Sequence, residues 1–296
     1  MYTLWQLIFA GDWDYNVILE KGALYVVATP IGNLGDLSHR AIEVLQSVAV
    51  IAAEDTRHTR RLLQQFEINT DCLALHEHNE RKVTASLLQR MQQGESIALV
   101  SDAGTPLLSD PGYHLVHEAS AAGVRVIPVP GPSAIMAALS AAGLPTDRFC
   151  FEGFLPSKTA ARCNRLEVLA SATVTLVFFE APHRILATLE DMQRIMGTER
   201  EAVLARELTK TFETYLRGTL AEIYQQVSDD ENQQKGEIVL LVHGASPVKA
   251  GEIDAETERV LNILLRDLPV KQAAALASEI TGVKKNLLYQ QAIKRN

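Results

Sequence analysis

The chain has 296 residues, 47% of them hydrophobic and 22% charged, with a net charge of −8. That length suffices for two domains with real cores, and the ordinary composition excludes a disordered or fibrous protein. The acidic balance argues against a protein that coats nucleic acid over its whole surface. Cys72, Cys150 and Cys163 are far apart and form no C-x-x-C pair, which fits reduced thiols in the cytoplasm better than a disulfide framework. No apolar run approaches the ~20 residues of a membrane span, so no membrane partner is expected. The apolar start, Met1–Ala10, has neither a preceding basic residue nor a following small-residue cleavage site, and so does not read as a signal peptide.

In chain order, Met1–Gly22 shows no clear period and reads as an irregular arm. Ala23–Ala28 is an apolar run of strand length, followed by the turn-rich loop Thr29–Ser38 and a helix over Arg40–Ser47 that Ser38 would cap. Val48–Ala53 is a second strand, ending in Glu54-Asp55-Thr56-Arg57, and Thr56–Phe66 is an amphipathic helix. Cys72–Leu75, the loop His76–Glu80 and a helix over Arg81–Gln93 come next. Ile97–Val100 is a buried strand that stops at Ser101-Asp102-Ala103-Gly104-Thr105-Pro106, a small-residue turn that lets a ligand approach the backbone. Ser109-Asp110-Pro111-Gly112 adds a turn and would cap the helix Tyr113–Ala122. Val124–Val129 is the fifth strand, and Pro130-Gly131-Pro132-Ser133 opens a helix over Ala134–Ala142. Strands alternating with helices imply a mostly parallel sheet with both faces covered, and the polar residues that end the strands gather on one rim.

Past a candidate linker at Gly143–Asp147 the period changes. Strands are expected at Phe149–Phe154, Thr173–Phe179, Ala202–Glu207, Phe212–Arg217 and Glu237–His243, and helices at Ala161–Ala170, His183–Met196 and Leu220–Val227. Only Leu208–Thr211 separates two of these strands, which suggests a hairpin and hence a mixed sheet. After a second linker at Ala245–Gly251, Asp254–Leu268, Lys271–Ile280 and Val283–Ile293 read as helices, the last two joined around Gly282 as a helix-turn-helix. The fold class is therefore α/β. It has a parallel-sheet domain over residues 23–145, a mixed-sheet domain over 146–245 and a small helical domain over 250–296, with 1–22 as an arm. Residues 269–296 carry five basic side chains against Glu279 alone, a net of +4 that leaves −12 for the rest, so the tail suits a localised anionic partner.

Several chemistries can be weighed on these residues. Gly32 and Gly35 follow a strand and Asp55 ends the next, as in a nicotinamide dinucleotide site, but the G-x-G pair is missing. There is no G-x-S-x-G and no G-K-[ST], which removes hydrolase and P-loop readings. His76 with His78, and His114 with His117, lack a third ligand at metal spacing, so no metal is expected.

Eight segments together settle on a family. They are L-Y-V-V-A-T-P-I-G-N-L-G-D-L (24–37), A-A-E-D-T-R-H-T (52–59), H-E-H-N-E (76–80), S-D-A-G-T-P-L-L-S-D-P-G (101–112), V-P-G-P-S-A (129–134), F-E-A-P-H-R (179–184), A-R-E-L-T-K-T-F-E (205–213) and K-G-E-I-V-L-L-V (235–242). In this order the chain resembles the tetrapyrrole methylase superfamily, and within it the branch of ribosomal RNA small subunit methyltransferases I. The resemblance covers roughly residues 22–296 and begins where the arm, Met1–Gly22, which resembles nothing in the family, ends.

The resemblance implies two α/β domains with S-adenosyl-L-methionine in the cleft between them, and 2′-O-methylation of a decoding-centre cytidine in 16S rRNA of the 30S subunit. It also implies a homodimer. Carried onto this chain, the cofactor positions are Pro30, Ala103, Gly104, Thr105, Ser109, Asp110, Ser133 and Ala134, with Phe179 and Ala205 from the second domain. Small-residue loops suit an adenosine, and the helix start at Ser133 suits a carboxylate. For the hydroxyl proton the candidate bases are Asp55, Glu77 and Lys210, with Arg57 and Asn79 orienting ribose or phosphate. Arg60, Arg61, Arg184 and Arg206, whose guanidinium forks match two phosphate oxygens, are expected to hold RNA, and so are Lys284 and Lys285 in the tail. A tetrapyrrole methylase is the alternative within the superfamily, and the nicotinamide oxidoreductase the alternative outside it.

Overall fold

A computed structural model describes residues 19–246, 253 and 255–293. The expected arm, apart from Leu19–Gly22, and most of the second linker lie outside these residues.

The first compact unit runs to Ala138 and also takes in Glu207–Glu213. Its elements are β1 (Leu24–Val27), α1 (His39–Ser47), β2 (Val50–Ala53), α2 (Thr56–Gln65), β3 (Cys72–Ala74), α3 (Glu80–Gln92), β4 (Ile97–Val100), α4 (Tyr113–Ala121), β5 (Val126–Val129) and the start of α5 (Ala134–Ala142). The sheet order is β3-β2-β4-β1-β5, and every neighbouring pair is parallel. Strand side chains alternate between two buried faces. Tyr25, Val27, Ile51, Ala53, Ala98 and Val100 pack with Val44 and Leu45 of α1 and Leu63 of α2. Leu24, Val50, Ala52, Ile97 and Leu99 pack with Leu87 and Met91 of α3 and Leu115 of α4. Both faces are thus covered, as parallel strands require. Ser38 caps α1 through the Ala41 amide at 3.1 Å.

The order of the strands locates the ligand edge. The chain leaves β1 for β2 on one side and leaves β4 for β5 on the other, so the neighbours β1 and β4 form the switch point, where ligands of open α/β sheets bind at the carboxyl ends.

The second unit holds Leu139–Arg206 and the chain from Thr214 on. Its elements are β6 (Phe149–Phe154), α6 (Thr159–Leu169), β7 (Thr175–Glu180), α7 (Ile185–Met196), β8 (Glu201–Arg206), β9 (Thr214–Thr219), α8 (Leu220–Asp229) and β10 (Ile238–Val242). The sheet order is β6-β7-β10-β8-β9; β6 and β7 are parallel and the other neighbours antiparallel, so the sheet is mixed. Leu176, Phe178, Leu204, Leu240 and Val242 form one core with Leu166, Leu189, Met192, Leu220 and Ile223 of the helices. Thr219 and Glu222 close a capping box on α8. Helices α9 (Ala255–Leu264), α10 (Val270–Thr281) and α11 (Lys285–Ile293) share a separate cluster around Leu261, Ala273, Ala277, Leu288 and Ala292. Gly282 ends α10 in the left-handed conformation, φ 73°, which glycine adopts without strain.

Two boundaries differ from the sequence expectation. The division between units falls inside α5 rather than at residue 145, because an apolar helix gives no break in composition there. The connection between β8 and β9 is longer than Leu208–Thr211: Glu207–Glu213 form a turn of their own, with Glu207 and Thr209 at φ 54° and 64°, and belong to the first unit.

Candidate active site at the carboxyl edge of the parallel sheet

Three loops meet beyond the strand ends of the first unit. Thr29, after β1, donates its amide to the Gly104 carbonyl at 2.9 Å, and the Gly104 amide returns the bond at 3.0 Å. Gly104 lies at φ 81°, and a Cβ there would stand 3.3 Å from Ile31 Cγ2, so the position suits glycine for both conformation and space. The Thr105 hydroxyl donates to the Pro132 carbonyl at 3.0 Å, which ties in the loop after β5. A Cβ on Gly131 would lie 3.0 Å from Ala28 Cβ, so that loop approaches β1 as bare backbone. Leu107 and Ser109 both sit at φ 75°, a left-handed conformation that is costly for residues with side chains. Pro30, Ala103, Gly104, Thr105, Ser133 and Ala134 are thereby brought to one edge. The Ser133 carbonyl accepts from Ala137 at 2.9 Å, so Ser133 stands at the start of α5 with free amides following it.

Carboxyl groups line the same edge. Burial pushes the Asp110 carboxyl up, with Asp102 adding to it and a hydroxyl from Ser101 opposing. Glu54, at the end of β2, is pushed up by burial and by the charges of Asp110 and Asp102. Asp102 also accepts from the Asp55 amide at 3.0 Å, linking the β2 and β4 loops. Asp55 is the N-cap of α2: its carboxylate takes the Arg57 amide at 2.8 Å, and that bond holds it below the usual range. A carboxylate held ionised in this way is a weaker base than its neighbour Glu54.

S-adenosylmethionine carries a nucleoside, a carboxylate and a sulfonium cation. The residues present fit it: glycine and alanine backbone for the nucleoside, the amides after Ser133 for the carboxylate, and the Glu54–Asp102–Asp110 field for the cation.

The remaining candidates fall into distinct places. Glu77 is exposed in the loop after β3. Asn79 is engaged inside that loop, its Oδ1 accepting from the His76 amide at 2.9 Å and its Nδ2 donating to the Ala74 carbonyl at 3.0 Å. Lys210 pairs with Glu207 at 2.9 Å, and its chain lies over Gly32, where a Cβ would come 2.9 Å from Lys210 Cε. The Glu207–Glu213 turn thus brings Lys210 to the loop after β1. Arg57, Arg60 and Arg61 are exposed on α2. In the second unit Phe179 packs edge-on against Phe151, centroids 4.9 Å apart, and Ala205 is fully buried in β8. Arg184 is bound to the buried Glu180 through Nε at 2.9 Å, and Thr188 donates to the same carboxylate at 2.6 Å. Arg206 is buried and donates to Gln233, Thr214 and the Lys235 carbonyl. These two arginines are therefore built into their unit rather than presented to an anion. Lys284 and Lys285 are exposed at the start of α11.

Two features were not read from the sequence. The expected Ser109–Gly112 cap on α4 is absent: Gly112 is the N-cap without a side-chain bond. Glu80 Oε1 serves instead, accepting from the amides of Gly112, His114 and Leu115 at 3.2, 2.8 and 3.3 Å. Its distance along the chain hides this partner. The effect of Asp110 on Glu54 is equally non-local: Glu54 follows β2 directly, whereas Asp110 lies well beyond the end of β4 in the central loop. Among the described residues no group of three His, Cys, Asp or Glu side chains is disposed to hold a metal ion, and no helix is long and apolar enough to cross a membrane. The nicotinamide alternative fails on topology: mononucleotide-binding halves set β1 beside β2, whereas here β4 lies between them and Asp55 is a helix cap.

Comparisons with known proteins identify the family. Residues 23–224 match the family model of tetrapyrrole (corrin/porphyrin) methylases, and residues 251–296 match that of the RsmI C-terminal HTH domain. The chain is 59% identical to the ribosomal RNA small subunit methyltransferase I of Pseudomonas aeruginosa, over 94% of this chain and 99% of that one. It is 54% identical to the protein of the same name from Escherichia coli O157:H7, over 93% and 96%. Among solved structures, the uroporphyrin-III C-methyltransferase of Thermus thermophilus complexed with S-adenosyl homocysteine aligns with a TM-score of 0.52 at 17% identity, covering 75% of this chain and 97% of that one.

Proposed function

The chain belongs to the tetrapyrrole methylases, in the branch of the ribosomal RNA small subunit methyltransferases I, and on that footing we propose that it methylates the ribose 2′-oxygen of a decoding-centre cytidine. The coarser activity is that of an S-adenosylmethionine-dependent methyltransferase of small-subunit rRNA. The observation that carries the site is the Thr29–Gly104 bridge, which fixes the loops after β1 and β4 together at the switch point.

Bound S-adenosylmethionine supplies a methyl group already activated on a sulfonium. The protein's share is position and the removal of one proton. Pro30, Ala103, Gly104, Thr105, Ser133 and Ala134 hold the donor, with Ser109 and Asp110 from the same central loop. Asp55, Glu77 and Lys210 are the candidates that take the hydroxyl proton or orient the oxygen that loses it. Asn79 holds the turn that presents Glu77, and Arg57, Arg60, Arg61, Lys284 and Lys285 meet phosphates. The enzyme works in the cytoplasm on the 30S subunit, as a homodimer.

The test maps the label after transfer from labelled S-adenosylmethionine. Label on the ribose of one decoding-centre cytidine is the expected result; label on a base, or on a tetrapyrrole instead of RNA, contradicts the proposal. If Asp55→Ala, Glu77→Ala and Lys210→Ala all keep normal turnover with bound cofactor, the three candidates are wrong.

A further inference from the structure

The first turn of α4 carries an aromatic pair that no part of the methyl-transfer site uses. Tyr113 is 72% exposed, more than any other large apolar side chain among the described residues. Its ring stacks on that of His117 one turn on, with centroids 5.8 Å apart and planes inclined by 21°. Single exposed hydrophobic residues are common and need no function. This one differs in being held. Glu80 anchors the amides of Gly112, His114 and Leu115, so the turn under Tyr113 is fixed to the start of α3. Gly112 sits close on β4: a Cβ there would lie 2.8 Å from Leu99 Cδ2. Arg81 and Lys82, the residues after Glu80, are both exposed. An outward aromatic face at the end of the loop that leaves β4, tied through Glu80 to the helix start that carries two exposed cations, matches what single-stranded nucleic acid needs: a ring for a base and charges for its phosphates.

We infer that Tyr113, backed by His117, is a stacking platform for an unpaired base of the RNA substrate, with Arg81 and Lys82 on the adjoining phosphates. The inference rests on the rRNA assignment and adds a recognition residue to it. Stacking takes any base with little regard to sequence, so Tyr113 holds a nucleotide near the target rather than selecting the target. It therefore contributes to substrate binding and not to the chemical step.

The test compares methyl transfer to 30S subunits by the wild type, Tyr113→Ala, Tyr113→Phe and His117→Ala at one salt concentration. Tyr113→Ala is expected to raise KM for the subunit about tenfold, with kcat, cofactor affinity and Tm unchanged. Tyr113→Phe keeps the ring and the wild-type KM, and His117→Ala falls between. A KM for Tyr113→Ala within twofold of wild type overturns the platform. So does an equal loss in Tyr113→Phe, or a change of sedimentation in Tyr113→Ala that marks a surface for self-association. If the wild type transfers no methyl to 30S subunits, the rRNA assignment fails by itself. The platform is then judged by binding of an unstructured oligonucleotide: weaker binding by Tyr113→Ala supports it, and equal or absent binding by both proteins overturns it.

Discussion

Oε1 of Glu80 accepts from three amides at the start of α4, a helix whose own N-cap, Gly112, has no side chain to offer. Charge-assisted capping of this kind contributes about 1–2 kcal/mol. Glu80→Ala should lower Tm accordingly and Glu80→Gln, which keeps an acceptor oxygen, should lower it less; equal losses would show that the amides find other partners. Glu54 makes the opposite kind of contribution. Burial and the charges of Asp110 and Asp102 raise its pKa on folding. A raised carboxyl binds its proton more tightly in the folded state, so its stabilising share is present at acid pH and lost as pH rises through the raised value. Glu54→Gln should therefore melt above the wild type at pH 7, with the gap closing as pH falls to about 4. A gap that does not change with pH would remove the carboxyl cluster as its cause. At this scale the sequence is only partly legible. Ser38, Gly104 and Gly282 announce their roles through local chemistry. Glu80, Arg184 and Arg206 do not, because a helix-opening glutamate and two arginines look alike whether their partners are amides, a buried carboxylate or RNA.

Among the elements, α6 and α7 are joined by a buried ion pair. Arg162 meets Asp191 Oδ2 through Nε at 2.8 Å and Nη2 at 2.7 Å. Burial alone would push the Asp191 carboxyl up, but hydrogen bonds from Arg194, Arg162 and Cys163 outweigh it and hold the group below the usual range. Its stabilising share is thus present at neutral pH and lost as pH falls through the depressed value. Asp191→Asn leaves the Arg162 cation buried and should cost on the order of 3 kcal/mol in denaturant unfolding at pH 7; an undisturbed midpoint would mean that water reaches the pair. Strands and helices were legible because short apolar runs alternate with amphipathic ones, and the observed elements lie close to those expected. The Glu207–Glu213 turn was not. Its placement depends on Lys210 lying over Gly32, far away in sequence, and on two non-glycine residues at positive φ that carry no turn signature.

For the whole molecule, strand order decides more than any motif. The β3-β2-β4-β1-β5 arrangement sets the loops after β1 and β4 side by side and excludes the dinucleotide reading that Gly32, Gly35 and Asp55 invite. Order of this kind is invisible to periodicity, which reports each strand but not its neighbours. The tail is the other whole-molecule feature. Its helices α9–α11 have a core of their own, and residues 269–296 carry the net +4 of an otherwise acidic chain. Deletion of residues 250–296 should weaken binding of substrate RNA at fixed salt and leave cofactor binding intact; unchanged RNA affinity would take the tail out of recognition. The most direct measurement is transfer of labelled methyl from S-adenosylmethionine to 30S subunits that lack the modification. The expected result is label in the 16S rRNA, dependent on the protein and on the donor. Bound donor with no label in the RNA would contradict the assignment of the substrate while leaving the fold and the donor site in place.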